Sequence, residues 1–272
     1  MKKKSAQHQS SKSLKTFYIY SFIVFLLILI SLIVRGVILF EQNIFDPVHH
    51  FILTVQQKGT VKEIISFNPQ IPAVSVLRVD DKNIPYKTLA KEYGVPSDGY
   101  IQLDDSMPLT TDPTALMWTS IMHAATLDSN LTIFDSVRLF LMSKNVATNN
   151  EISTDVSLKN HNIMNTNEIT QALTDLDIAS ESISIQIINA TNITGMGQRL
   201  GRILTNTGAN VVDVSSAKNS QKETTIAYFG DSSFTLTHLQ KLLHVTPTKL
   251  TKQPIANIII TIGNDKRNTS AF

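Results

Sequence analysis

Residues 17–34 read FYIYSFIVFLLILISLIV, and this stretch decides the architecture. Only Ser21 and Ser31 interrupt its apolar run, and Val37–Phe40 extends it past Arg35 and Gly36. About 20 apolar residues rising ~1.5 Å each cross the hydrocarbon core of a bilayer, so residues 17–40 predict a transmembrane helix. Arg35 sits near one end, where its long side chain can snorkel to the interface, and Tyr18 and Tyr20 suit the opposite interface. A buried core helix rarely runs this long without a polar face. A cleaved signal peptide is the competing reading, but the run is long for such a segment and no A-x-A-like site follows it.

Orientation follows the distribution of lysine. Lys2, Lys3, Lys4, Lys12 and Lys15 precede the span, whereas Glu41, Asp46 and Lys58 are the charges in the twenty residues beyond it. The positive-inside tendency predicts a cytoplasmic basic tail over 1–16 and an extracytoplasmic location for everything after residue 40. The whole chain carries a formal charge of +2. Residues 1–40 hold six cations and no acid, which leaves −4 on residues 41–272. A mildly acidic body lacks the clustered basic face that phosphate neutralisation requires, so nucleic acid is not an expected partner. There is no cysteine, hence no disulfide, thiol nucleophile or zinc–thiolate site.

Beyond the span the sequence predicts a short stalk at 41–50, a first α/β domain at 51–178, a linker at Asp177–Glu181, a second domain at 182–265 and a frayed tail at 266–272. In the first domain, Thr60–Phe67 and Ala73–Val79 read as a hairpin across Asn68-Pro69-Gln70-Ile71-Pro72. Pro85–Tyr93 reads as a helix stopped by Gly94, and Tyr100–Leu103 as a strand. Asp112-Pro113 opens a helix with Met117, Ile121 and Ala125 on one face. Thr132 and Asp135 form a capping box before Ile133, Phe134, Val137, Phe140 and Leu141, which recur at helical spacing. A strand at Ile152–Val156 and a helix at Glu168–Leu176 follow.

The second domain is more regular. Strands are predicted at Ile183–Ile188, Val211–Val214, Thr224–Phe229 and Ala256–Ile262, with helices at Gly195–Thr207 and Thr235–His244. The order β-α-β-β-α-β predicts a split sandwich of helices on one sheet, and the nearly all-apolar last strand is expected to be buried on both faces. The predicted class is therefore α/β, with one transmembrane helix and two small extracytoplasmic domains.

No catalytic motif of the nucleophile-elbow, zinc-protease or P-loop type is present, and no metal or cofactor site is expected. Gly195-Met-Gly197-x-x-x-Gly201, with Asp213 beyond it, superficially matches a dinucleotide fingerprint. Five residues separate it from the end of the strand, and the domain is too small for two mononucleotide halves. Close packing of the helix start on the sheet is the expected role of these small residues. Backbone N–H groups there can still take an anion, so Asn189, Thr191, Thr194, Gly195 and Gly197 are the candidate ligand-binding residues. His49-His50 lack metal-ligand spacing and read as stalk polarity. His238 and His244, six apart, are expected on opposite sides of their helix. Asp80-Asp81 and Asp104-Asp105 read as exposed acidic turns.

The second domain resembles the C-terminal domain of LytR/CpsA/Psr-type cell-envelope proteins. The matching segments are Ile185-Gln-Ile-Ile-Asn189-Ala-Thr191, Thr194-Gly-Met-Gly197-Gln-Arg-Leu200, Gly208-Ala-Asn-Val211, Thr224-Thr-Ile226 and Ala256-Asn-Ile-Ile-Ile-Thr-Ile262-Gly263-Asn-Asp265. A weaker resemblance to that family's catalytic domain runs through Ile65-Ser-Phe-Asn68-Pro69, Val74-Ser-Val-Leu-Arg78-Val-Asp80 and Leu89 to Ile101. The resemblance implies a bacterial envelope protein, and its catalytic members transfer glycopolymers from polyprenyl pyrophosphate carriers. Holding a pyrophosphate requires several arginines. Only Arg78 and Arg138 fall in the first domain, and the family's early Asp-x-Arg element is absent from Phe51–Ser66. The expectation is a membrane-anchored, non-catalytic protein whose partners are the lipid bilayer and either cell-wall glycopolymer or another envelope protein. The alternative is a divergent glycopolymer transferase using Arg78, Arg138 and the aspartates near Asp80.

Overall fold

The computed structural model describes residues 6–79, 84–110, 112–146, 151–154 and 166–266. It divides into two units, Met1–Asn43 and Ile44–Phe272. The first contains one helix, α1 (Ala6–Glu41), within which Phe17–Ile38 is long and apolar enough to cross a membrane and is not buried against protein. An unpartnered apolar surface of this length is unfavourable in water and favourable in lipid.

The second unit is built on two mixed sheets. The first contains β1 (Phe51–Gln57), β2 (Thr60–Asn68), β3 (Ala73–Arg78), β4 (Gly99–Leu103), β5 (Asp128–Ser129) and β6 (Glu151–Thr154), in the order β5-β4-β1-β2-β3-β6. The β2–β3 hairpin forms as the sequence predicts. The central strand β1 was not legible as a separate element. It turns back into β2 through Lys58-Gly59, both left-handed (φ 56° and 70°), the geometry whose twist suits a two-residue hairpin.

Helices cover both faces of this sheet. Between β3 and β4 lie α2 (Tyr86–Thr88) and a π-helical turn, Leu89–Tyr93, ended by left-handed Gly94. Then come α3 (Pro113–Met122), α4 (Ile133–Asn145), α5 (Thr166–Leu173) and α6 (Leu176–Glu181). On one face α3 and α4 pack Leu116, Met117 and Leu139 against Leu53, Val55, Ile65 and Phe67. On the other, Leu89, Val95, Ala172 and Leu173 cover Ile52, Ile64 and Leu77. The Thr132–Asp135 capping box is present. The predicted burial pattern is not: α3 buries Leu116, Met117 and Ser120 rather than a Met117–Ile121–Ala125 face, and most of the predicted apolar stripe of α4 stays exposed.

The second sheet contains β7 (Ser184–Asn189), β8 (Asn210–Ser216), β9 (Thr225–Tyr228), β10 (Thr248–Lys249) and β11 (Ile258–Ile262), ordered β10-β9-β11-β7-β8. Helices α7 (Met196–Asn206) and α8 (Phe234–Leu243) pack Leu200, Ile203, Leu204, Leu236 and Leu239 onto Ile185, Ile187, Ile258 and Ile260. The predicted element order stands, with β10 added. The strand order does not match a split unit, because β7 and β8 are direct parallel neighbours. Strand β11 alternates buried and half-buried residues; its apolar run has helices over one face only.

The segments predicted as stalk and linker are packed structure. Phe45 is only 4% exposed and joins the first core, and residues 44–50 form a strap across the unit. Residues 176–181 are the helix α6, capped by Asp175 and seated by buried Ile178. The Glu181 carboxylate then accepts the Phe234 and Thr235 N–H groups at 2.7 and 2.8 Å, closing the start of α8. Asn206, 2% exposed, joins the halves directly: its Nδ2 donates to the Gly94 carbonyl at 2.8 Å and its Oδ1 accepts from Thr170 at 3.3 Å. Asp80, Asp81, residues 1–5 of the basic tail and residues 267–272 lie outside the described residues.

Candidate functional site

The predicted ligand residues come together in one loop, in which the side chains of Asn189 and Thr191 bond to each other and to Ile193. Asn189 Oδ1 accepts the Thr191 N–H and hydroxyl at 3.0 and 2.7 Å, while its Nδ2 donates to the Ile193 carbonyl at 2.9 Å. Thr191 Oγ1 accepts the Ile193 N–H at 3.0 Å. Thr194 is exposed and leads into Gly195, left-handed at φ 84°. A Cβ on Gly197 would press on Val214 at 3.1 Å and Asn189 at 3.3 Å, so this glycine serves helix–strand packing. Asp213 accepts from Gln186 at 2.9 Å on the sheet rather than facing a nucleotide.

The motif ending β11 has an equally structural cause. A Cβ on Gly263 would lie 2.3 Å from the Glu223 carbonyl carbon. Its N–H donates to Thr224 Oγ1 at 2.9 Å. Asp265 accepts the Thr224 N–H and hydroxyl at 2.9 and 2.7 Å. Gly-x-Asp thus sews β11 to the approach of β9.

The concave feature with convergent polar groups lies elsewhere. A cleft of about 500 Å³ is lined by His50, Tyr86, Asp98, Asp175, His238 and Lys241, with Ile52, Leu89, Val95 and Leu242 supplying apolar wall. His244 lines it too, so α8 and the loop after it bring His238 and His244 to one place despite their sequence spacing. His50 Nε2 lies 2.6 Å from Ser66 Oγ, and Ser66 is buried in the sheet. Burial, reinforced by His238, lowers the His50 pKa to about 4. Burial, with help from Lys241 and His49, lowers that of His238 to about 4. Both imidazoles are therefore neutral at pH 7, each offering one donor and one acceptor. Burial also raises the pKa of Asp175, against the pull of the α6 N–H groups it accepts. Asp98 accepts the Ile52 N–H at 2.8 Å. Among the described residues no cluster of three ligating side chains can hold a metal.

The His pair read as stalk polarity frames this cleft. His49 stacks on Phe234 at 4.4 Å between centroids and faces Asp177 at 3.6 Å and Asp46 at 3.5 Å. The two adjacent histidines point to different sides of the strap, so one meets the second half while the other enters the cleft. Only strand-and-strap packing makes that division useful, and no sequence spacing signalled it.

The two arginines of the first half lie on elements of one sheet face. Arg78 pairs across the hairpin with Glu63, on the side covered by α4, the helix of Arg138. Glu63 is 1% exposed; burial raises its pKa to about 7, against the pull of Arg78.

Residues 182–265 match the protein family described as LytR cell envelope-related transcriptional attenuator. The match agrees with the resemblance of this stretch to a LytR-type C-terminal domain. The match covers the second sheet with α7 and α8. No curated protein and no solved structure matches the chain.

Proposed function

We propose that this protein is a single-pass, membrane-anchored bacterial envelope protein, non-catalytic, that binds cell-wall glycopolymer through the cleft between its two sheets. The observation carrying this reading is a cell-envelope domain at 182–265 in a chain that also holds an apolar helix at Phe17–Ile38. With the basic residues on its N-terminal side, that helix leaves residues 41–272 outside the cytoplasm. The cleft offers neutral imidazoles, a tyrosine and the Lys241 ammonium, groups suited to a hydroxyl-rich chain bearing anionic substituents. A non-catalytic role is supported by Arg78 facing a buried carboxylate and by only two arginines in the first half.

The test is co-sedimentation of the detergent-solubilised full chain with isolated bacterial cell walls, for wild type, Lys241→Glu and His244→Ala. Lys241 and His244 are exposed; His244 is the left-handed C-cap of α8 (φ 51°), so thermal melting of each variant accompanies the binding measurement. Binding by wild type that both variants weaken supports the proposal; binding indifferent to both removes the cleft from it. Metal-dependent hydrolysis of geranyl pyrophosphate, abolished by Arg78→Ala, would instead establish the transferase.

A further inference from the structure

The α3–α4 hairpin presents an apolar surface that the fold leaves uncovered. Trp118 and Met122 on α3, with Ile133, Phe134, Val137 and Leu141 on α4, are between 37% and 59% exposed. The helices run antiparallel, since Ser120 meets Ser136 at 3.0 Å and Trp118 meets Phe140 at 5.6 Å. Met122 therefore falls at the same end as Ile133 and Phe134. Scattered apolar residues on a surface need no explanation, but six together on one helix pair do. The same helices carry one carboxylate, Asp135, which is fully buried; their cations are Arg138 and Lys144.

The chain itself says what lies near this surface. Asp135, in the first turn of α4, accepts the Phe45 N–H at 3.0 Å and the Ile44 N–H at 3.4 Å. Ile44 follows Ile38, the end of the apolar span, by six positions. Fully extended, six residues reach no more than about 20 Å. The first turn of α4, bonded to Ile44 and Phe45, is thus joined to the apolar span by that short length of chain.

We propose that the α3–α4 face docks on the lipid bilayer, with Trp118 and its apolar neighbours seated at the boundary between headgroups and acyl chains. The proposal rests on Phe17–Ile38 being a membrane anchor. Apolar faces of this kind settle about 5–10 Å into the interface, with tryptophan favoured there and Arg and Lys meeting the headgroups. Docking makes the unit lie against the membrane instead of swinging on its tether, and it turns the cleft at a fixed angle to the surface.

Trp118 is the sole tryptophan, so the unmodified full chain reports on itself. Reconstituted into liposomes whose acyl chains carry bromine, it should lose about half or more of its emission relative to unbrominated liposomes, because contact quenching requires the indole at acyl depth. Val137→Glu/Leu141→Glu should restore the emission, both positions being exposed. Equal emission in the two liposomes overturns the proposal, as does shielding of Trp118 from aqueous iodide without quenching by bromine, which would mean a protein covers the face. Flotation with the liposomes after an alkaline wash separates the two failures. A chain that does not float refutes the anchor, and with it the docking. A chain that floats with unquenched Trp118, while Trp118→Phe/Phe25→Trp is quenched, refutes the docking alone.

Discussion

Replacing Asp135 by alanine should destabilise the second unit by about 3–4 kcal/mol, by either of two routes. The carboxylate is fully buried. One oxygen accepts the Phe45 N–H at 3.0 Å; the other accepts the Thr132 N–H at 2.9 Å and the Thr132 hydroxyl at 2.8 Å. If the strap stays in place without the carboxylate, the buried Phe45 N–H is left unpaired, at about 1–3 kcal/mol. The capping box is lost too, worth about 1 kcal/mol. If the strap lifts so that its donors reach water, Phe45 leaves the core and forfeits about 2–3 kcal/mol of burial, in addition to the cap. The routes converge in magnitude and differ in what moves. Asp135→Asn keeps one good acceptor and should cost about half as much. Urea unfolding of the full chain in lipid nanodiscs measures the total, and limited proteolysis over residues 44–50 shows whether the strap has lifted. A change below about 1 kcal/mol, with the strap still protected, would refute the claim that Asp135 holds the strap to α4.

Acid should weaken the cleft. His50 and His238 have folded pKa values near 4, below their usual 6.5, so the unfolded chain binds protons first and stability falls as pH drops from about 6.5 to 4, by roughly 1–3 kcal/mol per histidine. Glu63, raised to about 7, acts oppositely between its unfolded value of 4.5 and 7; Glu63→Gln should therefore steepen the acid loss, read by urea unfolding at a series of pH values. Gly263→Ala should cost about 3 kcal/mol or more, because its Cβ would meet backbone at 2.3 Å and backbone cannot rotate away; thermal melting reads this. Gly195→Ala, with open space around it but φ 84°, should cost only about 1–2 kcal/mol in the same assay. Asn206→Ala strands the Gly94 carbonyl and should cost about 1–3 kcal/mol by urea unfolding.

What could be read locally was read correctly where the cause is local. The apolar run of Phe17–Ile38, the caps at Asp112 and Thr132–Asp135, the stop at Gly94 and the β2–β3 hairpin all depend on residues within a turn or two of one another. So does the Asn189–Thr191 loop, after which Gly197 lets the start of α7 pack on Val214 and Asn189. The cleft could not be read this way. His50 comes from the strap, Tyr86 from α2, Asp175 from the start of α6 and His238 from α8; their meeting depends on how two sheets are stitched through α5, α6 and α7, and hydrogen bonds such as Asn206 to Gly94 span more than a hundred residues.

The stretch FYIYSFIVFLLILISLIV by itself determined one helix suited to lipid, because length and hydropathy alone decide that a segment is favoured there. Residues 182–265 likewise carried their likeness to the LytR-type C-terminal domain in the order of their strands, glycines and polar turns. Only the tertiary structure decided that residues 44–50 are a strap rather than a stalk, since burial of Phe45 and the acceptors of Asp135 are contributed from ninety residues away. It alone decided that the stripe Ile133–Val137–Leu141 faces out. Helical periodicity marks an apolar face, but which surface covers that face is settled by everything packed around it.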